Sequence, residues 1–275
     1  MSYFDAVILG IVEGLTEFLP VSSTGHLTIA EKLLGMSIDD PAVTAYTAVI
    51  QMGAIAAVVV YFFKDIWRIL KAWVLGIAKP EYRGQFDHRM GWFIIIGSIP
   101  IGVVGLLAKE VITGPLRSLW VVAGALILWS AVMLFAEKRG SQAREEHELT
   151  LKDVVIVGLV QCVALVPGVS RSGATISAGL LQGLDRVAAT RISFFLSIPA
   201  LVAAGLYELK DALGGDMGVG QLLVGTAVSF VVAYASVAWL LKFVAHHSIG
   251  KFVPYRVGLG AALIALLATS VMSST

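Results

Sequence analysis

The sequence predicts an all-α integral membrane protein, a polytopic helical bundle of two inverted-topology repeats, each with one re-entrant helix hairpin and three transmembrane helices. Three observations predict this class. Of the 275 residues, 57% are hydrophobic and only 14% charged, and the mean hydropathy is +0.86; soluble domains carry about 25% charged residues. Six stretches are apolar, uncharged and at or near the length of about 20 residues that spans a bilayer. Two further segments, 5–35 and 153–183, share a broken pattern and align on each other without a gap.

The same composition excludes a water-soluble globule, a disordered chain and a secreted disulfide scaffold. Twenty basic residues against 19 acidic ones leave a charge of +1, which gives no electrostatic case for nucleic acid. The single cysteine, Cys162, cannot form an intramolecular disulfide and disfavours a cysteine-based zinc site. The start MSYFDAVILGIVEGLTE has no basic leader region, and Glu13 and Glu17 interrupt its apolar run. The N-terminus is therefore expected to stay on the mature protein.

In chain order, the first element is the broken segment Asp5 to Gly35, apolar overall but interrupted by LPVSSTGH. A helix, a break at membrane depth and a second helix back to the same face make a re-entrant hairpin. Irregular backbone at that depth is tolerated only where protein buries it or where it lines a wet cavity. Ala42 to Phe63 is the first span, and Lys64 to Lys71, with Trp67 and Trp73, reads as an amphipathic surface helix near anionic lipid. Gly91 to Ala108 and Ser118 to Ala136 are the second and third spans. The second broken segment, Asp153 to Gly183, carries VPGVSRSGAT at its centre. Ile192 to Tyr207, Met217 to Leu241 and Val257 to the C-terminus complete the set. Pro100 and Pro199 are expected to kink their helices rather than end them. His246 and His247 read as interfacial, and Cys162 as core packing.

Lysine and arginine in short loops set orientation. Lys64, Arg68, Lys71, Lys79, Arg83 and Arg89 follow the first span, and Lys138, Arg139, Arg144 and Lys152 the third. Both loops are expected in the cytoplasm, as is the one holding Lys242, Lys251 and Arg256. The acidic stretch Glu208 to Asp216 is expected outside. The first hairpin then enters from the external face and the second from the cytoplasm.

At a shift of 148 positions, eleven of 31 residues are identical, among them Asp5/Asp153, Gly10/Gly158, Ser22/Ser170, Gly25/Gly173 and Gly35/Gly183. Shared hydrophobicity does not produce two matched Ser-x-x-Gly breaks. The chain reads as a single membrane domain, with repeat one at 1–140 and repeat two at 150–275; the odd number of crossings in each half inverts the second copy. Inverted repeats gather binding groups near the midplane, where broken helix ends meet. The two breaks are expected to face each other.

Glu13 and Glu17 lie one helical turn apart and share a face. A charge at membrane depth costs at least about 2.5 kcal/mol and therefore seeks a partner or an aqueous cavity; the bland alternative is a solvated pair at the headgroups. Two carboxylates suit a hard divalent cation, Mg²⁺ or Ca²⁺, that also holds phosphate oxygens. Ser22, Ser23 and Thr24 precede Gly25 and His26 at the start of the returning helix. Ordinary N-capping explains any one hydroxyl, yet a helix start with free N–H groups also suits a phosphate. His26 is placed to carry a proton or a phosphoryl group. Arg171 stands where the repeat has Ser23, and its planar fork matches phosphate oxygens; a structural ion pair with Glu13 or Glu17 is the competing role. Ser170, Ser172 and Thr175 add donors, Gly168 and Gly173 allow close backbone approach, and Gln51 is a candidate to line the same cavity. This is an inventory for phosphoryl transfer, which needs positioning and charge stabilisation above all.

EGLTEFLPVSSTGH at Glu13 to His26, with PGVSRSGATISAG at Pro167 to Gly179, closely resembles the undecaprenyl-diphosphate phosphatase family, also called the bacitracin-resistance family. The resemblance extends over the whole chain in length and hydropathy. It implies an enzyme of the bacterial plasma membrane that removes the terminal phosphate of undecaprenyl diphosphate and so regenerates the lipid carrier for peptidoglycan and other envelope polymers. It also implies a site open to the external face and dependence on a divalent cation, with Glu13, Glu17, Ser23, His26 and Arg171 as functional residues. The partners implied are a long-chain prenyl diphosphate and membrane lipids, with no nucleic acid; a homodimer is left open. In the mechanism expected, Glu13 and Glu17 hold the metal, and Arg171 and the N–H groups near Ser172 and Gly173 clamp the terminal phosphate. Ser23 attacks, with Glu17 or His26 taking its proton; a metal-bound water or His26 as nucleophile stays open.

Two rivals stand beside this reading. A transporter or flippase fits the same architecture, but it need not gather serine, histidine, paired glutamates and arginine around one bond. For a non-catalytic lipid-binding subunit, replacing Glu17 or Arg171 would alter little beyond affinity.

Overall fold

A computed structural model describes residues 1–38, 40–214 and 218–274, and of Thr113 and 208–214 the backbone alone. Twelve α-helices occur among the described residues: α1 Tyr3–Thr16, α2 Ser23–Leu33, α3 Pro41–Tyr61, α4 Phe63–Ala78, α5 Phe86–Leu107, α6 Lys109–Thr113, α7 Leu119–Arg139, α8 Leu151–Gln161, α9 Arg171–Leu181, α10 Arg186–Gly214, α11 Val219–His246 and α12 Val253–Ala268. No strand is present among them. Among the described residues six helical segments are long and apolar enough to cross a membrane: Pro41–Tyr61, Phe86–Leu107, Leu119–Arg139, Arg186–Tyr207, Val219–His246 and Ile249–Ala268. α5 and α10 run through Pro100 and Pro199 without ending. The acidic segment expected outside, Glu208 to Asp216, and the start of a span at Met217 lie outside the residues whose side chains are described.

The identities between the two broken segments have local physical reasons. Asp5 and Asp153 each complete a capping box, with Ser2 at the start of α1 and with Thr150 at the start of α8, satisfying two orphan donors reciprocally. Gly35 and Gly183 take positive φ of 73° and 86° just past α2 and α9. There Gly35 N–H bonds Lys32 O and Met36 N–H bonds Glu31 O, while Gly183 N–H bonds Leu180 O and Leu184 N–H bonds Gly179 O. That is the same Schellman closure twice.

α1 packs chiefly on α11, α3 on α10 and α11, α5 on α4 and α8, and α7 on α12. One end of the bundle gathers the basic loops. Arg191 pairs with Asp65 at 3.3 Å and with Glu146 at 2.6 Å, Arg144 pairs with Asp153 at 2.6 Å and donates to Gln182 O at 2.7 Å, and the Ile249 N–H donates to Glu137 at 3.0 Å. At another place Gln221 donates to Met1 O, Tyr46 to Gln221 O, Lys32 to Ser273 and the Leu119 N–H to Ser274 O. α4 buries Ile69, Ala72 and Gly76 and exposes Phe63, Trp67, Leu70, Val74 and Ile77.

Two sequence expectations are corrected. Arg256 was expected among the loop charges; it sits in α12 and is 0% exposed. The helix begins at Val253 rather than Val257, because Pro254 suits a first turn and the guanidinium finds oxygen acceptors inside the protein. Cys162, expected in the core, is half-buried, because a 3₁₀ turn over Cys162–Leu165 replaces the last turn of α8.

Candidate active site

Each break follows from its proline. The residue before proline avoids helical backbone, so α1 ends ahead of Leu19-Pro20, and Val166, before Pro167, is extended with ψ 115°. Ser22 and Ser170 then both adopt φ 77°, a left-handed conformation that costs a non-glycine residue roughly 1–3 kcal/mol. Each caps the helix it starts: Ser22 Oγ accepts from the Gly25 N–H at 3.4 Å and Ser170 Oγ from the Gly173 N–H at 3.1 Å.

The breaks also bind one another, which offsets the strain. Ser22 Oγ accepts from the Gly168 N–H at 3.0 Å, and Ser172 Oγ donates to Leu19 O at 2.9 Å. A Cβ on Gly168, where φ is +98°, would collide with the Val122 carbonyl of α7. The starts of α2 and α9 thus converge, each bringing the positive end of its helix dipole.

Glu17 is the hub between them. It is 5% exposed. Oε2 accepts from Ser23 Oγ at 2.5 Å and from Gln51 Nε2 at 3.1 Å, and Oε1 from Arg171 NH2 at 3.0 Å. Arg171 NH1 donates to Ser193 O at 3.2 Å, and its guanidinium lies 5.9 Å from the centre of the Phe18 ring. Among the described residues neither the Arg171 Nε nor either carboxylate oxygen of Glu13, which is 0% exposed, has a hydrogen-bond partner.

A cavity of about 280 Å³ opens beside this cluster. Glu17, Ser22, Ser23, Thr24, Gln51, Ser170 and Arg171 line it, with Leu27, Ala48, Ile101, Leu165 and Leu201 as an apolar wall. Glu31, Thr44 and Arg117 line it too, and Arg117 pairs with Glu31 at 3.6 Å. The remaining candidates stand outside the lining. Gly25, Ser172 and Gly173 lie behind it, and Thr175 donates to Ser193 Oγ at 2.7 Å. The Gly173 N–H, expected to meet phosphate, is already spent on Ser170.

His26 turns away from Ser23. Its Nδ1 lies 2.7 Å from Ser22 O and its Nε2 2.6 Å from the Tyr255 hydroxyl, with the two rings stacked. The base in contact with the Ser23 hydroxyl is Glu17. Sequence reasoning missed Ser193, Tyr255, Glu31 and Arg117 at the site, and misplaced Arg256. For Arg256 a signal existed, since an arginine bordering an uncharged apolar run needs a partner inside the protein; for Ser193 and Tyr255 none did.

Among the described residues no three His, Cys, Asp or Glu side chains gather as a metal cluster. The donor set still fits a cation of the Mg²⁺ kind, which commonly takes one or two carboxylates and completes its shell with phosphate oxygens and water. The two orphaned oxygens of Glu13, one turn from Glu17, are the observation behind that fit.

Comparison with known proteins gives the family. The family model described as bacitracin resistance protein BacA matches residues 6–262. Undecaprenyl-diphosphatase 3 of Frankia casuarinae is 56% identical over 100% of both chains. Undecaprenyl-diphosphatase 1 of Streptomyces coelicolor is 58% identical over 100% of this chain and 99% of its own, and the undecaprenyl-diphosphatase of Acidothermus cellulolyticus is 55% identical over 99% of each. With a full-length match of this kind, the chain belongs to the bacitracin resistance protein BacA family.

Proposed function

We infer that the chain is an undecaprenyl-diphosphatase of the bacterial plasma membrane, releasing inorganic phosphate from undecaprenyl diphosphate and leaving undecaprenyl phosphate. The observation that carries this is the contact of Ser23 with Glu17 and of Glu17 with Arg171 in one polar pocket with an apolar wall. The full-length relatives named undecaprenyl-diphosphatase support the same reading.

The terminal phosphate sits against Arg171, whose unpartnered Nε and fork match its oxygens, and against the open N–H groups at the start of α9. Ser23 attacks the terminal phosphorus in line while Glu17 accepts its proton. The bond to the bridging oxygen breaks, and undecaprenyl phosphate leaves with the prenyl chain on the apolar wall. Water then attacks the phosphoserine, freeing phosphate and restoring the Ser23 hydroxyl as Glu17 gives up its proton. Glu13 and Glu17 would hold a divalent cation, Mg²⁺ or Ca²⁺, whose charge offsets that of the diphosphate. His26 and Tyr255 support the start of α2 from its other side.

The proposed architecture is one membrane domain of two inverted repeats, 1–140 and 150–275, with hairpins 5–35 and 153–183 entering from opposite faces. In support, Arg144 touches both the start of α8, at Asp153, and the end of α9, at Gln182. The start of α1 lies by Gln221 of α11, and the end of α2 by Ser273 and Arg117. The pocket then faces the external side, away from the basic loops.

The deciding experiment is phosphate release from a long-chain prenyl diphosphate by the purified full chain in detergent, with and without a chelator. Metal-dependent release lost in Arg171→Ala is expected. Binding of the lipid without release would turn the reading into that of a carrier.

A further inference from the structure

We propose that Arg256 is a positioning residue that staples the two hairpin breaks to each other and to α7, so holding Ser23 and Arg171 in register; its kinetic consequence rests on the phosphatase reading. Arg256 is 0% exposed. Its Nε donates to Ser130 Oγ of α7 at 3.1 Å, NH1 to Pro20 O at 3.0 Å, and NH2 to Gly168 O at 2.9 Å and Val169 O at 3.1 Å. One guanidinium therefore bonds carbonyls of both breaks.

All of these acceptors are neutral. Burying a cation without a carboxylate is costly, and a hydrophobic side chain would fill the same volume without that cost. What an apolar residue does not supply is donors for carbonyls that lie outside helices and have no N–H of their own to meet. The planar fork meets several at once, which a lysine ammonium on a flexible stem does not.

The consequence for the site follows from peptide geometry. In a trans peptide the N–H points opposite to the carbonyl, so fixing Val169 O on Arg256 turns the Ser170 N–H away from it. Fixing Pro20 O sets the peptide plane that leads into Val21, the residue before Ser22. Ser22 and Ser170 are the two residues held at φ 77°, and Ser23 and Arg171 follow each directly. Arg256 thus over-determines the strained backbone from which both reacting helix starts are launched, without touching the pocket lining itself.

The test uses the full chain in detergent with Arg256→Met and Arg256→Lys, compared by kcat and KM for a long-chain prenyl diphosphate. It adds nitroxide labels at Leu33→Cys and Leu181→Cys, exposed ends of α2 and α9, in a Cys162→Ala background. The expected result is kcat down about 100-fold in the Met variant, as for a small misplacement of reacting groups. In the Lys variant kcat falls at least about 10-fold. KM stays within about threefold, and the label-to-label distance distribution broadens in both. Native kcat in both variants overturns the proposal, and so does lost kcat with an unchanged distance distribution. If Arg256→Met does not fold, Arg256→Lys decides alone by the same two readings. If the unmodified chain releases no phosphate, the phosphatase reading fails, while the distance distribution still decides the staple.

Discussion

Ser23 donates its hydroxyl hydrogen to Glu17 Oε2 at 2.5 Å, joining the first residue of α2 to the C-cap of α1 across the break between them. A serine hydroxyl is a poor nucleophile without an activating base, and in the proposed mechanism that base is Glu17, at the end of the neighbouring helix. Gln51 and Arg171 each donate to the same carboxylate and orient it toward Ser23. The contact depends on the fold of the break, so the proposed chemistry depends on the strained serine at its centre.

Glu17→Gln keeps the shape of that contact and removes the base. Phosphate release is expected to fall by at least about 100-fold, the lower range for a lost general base. Acid quench of the native enzyme during turnover is expected to trap a phosphoserine detectable by mass spectrometry, and Ser23→Ala should remove it. Normal turnover by Glu17→Gln would take the base role away from Glu17.

Arg171 links Glu17, Ser193 O and the Phe18 ring, so its loss has two separable effects. Arg171→Ala is expected to abolish turnover, since a positioned charge of this kind contributes roughly 3 kcal/mol or more. It should also lower the melting temperature, because a buried carboxylate left unpaired costs about 3–5 kcal/mol. Glu17→Gln added to Arg171→Ala should recover stability but not activity. If the double variant melts no higher than Arg171→Ala, Glu17 is not the group destabilised.

How far this was legible in the sequence differs between backbone and side chains. The breaks were readable because Pro20 and Pro167 interrupt apolar runs, and because identical residues recur where capping boxes and helix closures repeat. The pairing of Glu17 with Arg171 was foreseeable, as two charges at membrane depth seek each other. The direction of His26 was not: it depends on Tyr255, far along the chain, whose hydroxyl sits 2.6 Å from the imidazole. The burial of Arg256 is signalled by its place beside an apolar run, but which carbonyls it bonds depends on both breaks and shows only in the structure.

Glu13 offers two buried carboxylate oxygens that have no hydrogen-bond donor among the described residues. An ionised carboxylate persists there only beside a cation. A chelator should stop phosphate release, and added Mg²⁺ or Ca²⁺ should restore it. Glu13→Gln is expected to raise the half-saturating cation concentration at least about 10-fold, in the range seen when support of a metal site is removed. Full activity in excess chelator would exclude the cation.

Ser22 supplies a cap to Gly25 and an acceptor to Gly168 while sitting at φ 77°. Ser22→Ala keeps the strain and loses both bonds, so a loss of about 1–2 kcal/mol is expected, as for other N-caps. Ser22→Gly loses the bonds but relaxes the dihedral, and should melt above Ser22→Ala. Ser170 should rank its substitutions the same way. The opposite order at either serine would mean that the positive φ carries no strain.

Arg191 bridges Asp65, beyond the first span, and Glu146, beyond the third. The two basic loops therefore share one end of the bundle, and their charges add when the membrane reads orientation. In the proposed topology the positive-inside rule puts that end in the cytoplasm, so Gly114, exposed between α6 and α7, is expected on the external side. In a Cys162→Ala background, Gly114→Cys should react with an impermeant maleimide in intact cells. Ala143→Cys, in the exposed loop after α7, should react only after permeabilisation. The reverse pattern would turn the pocket toward the cytoplasm and remove the external supply of diphosphate from the mechanism.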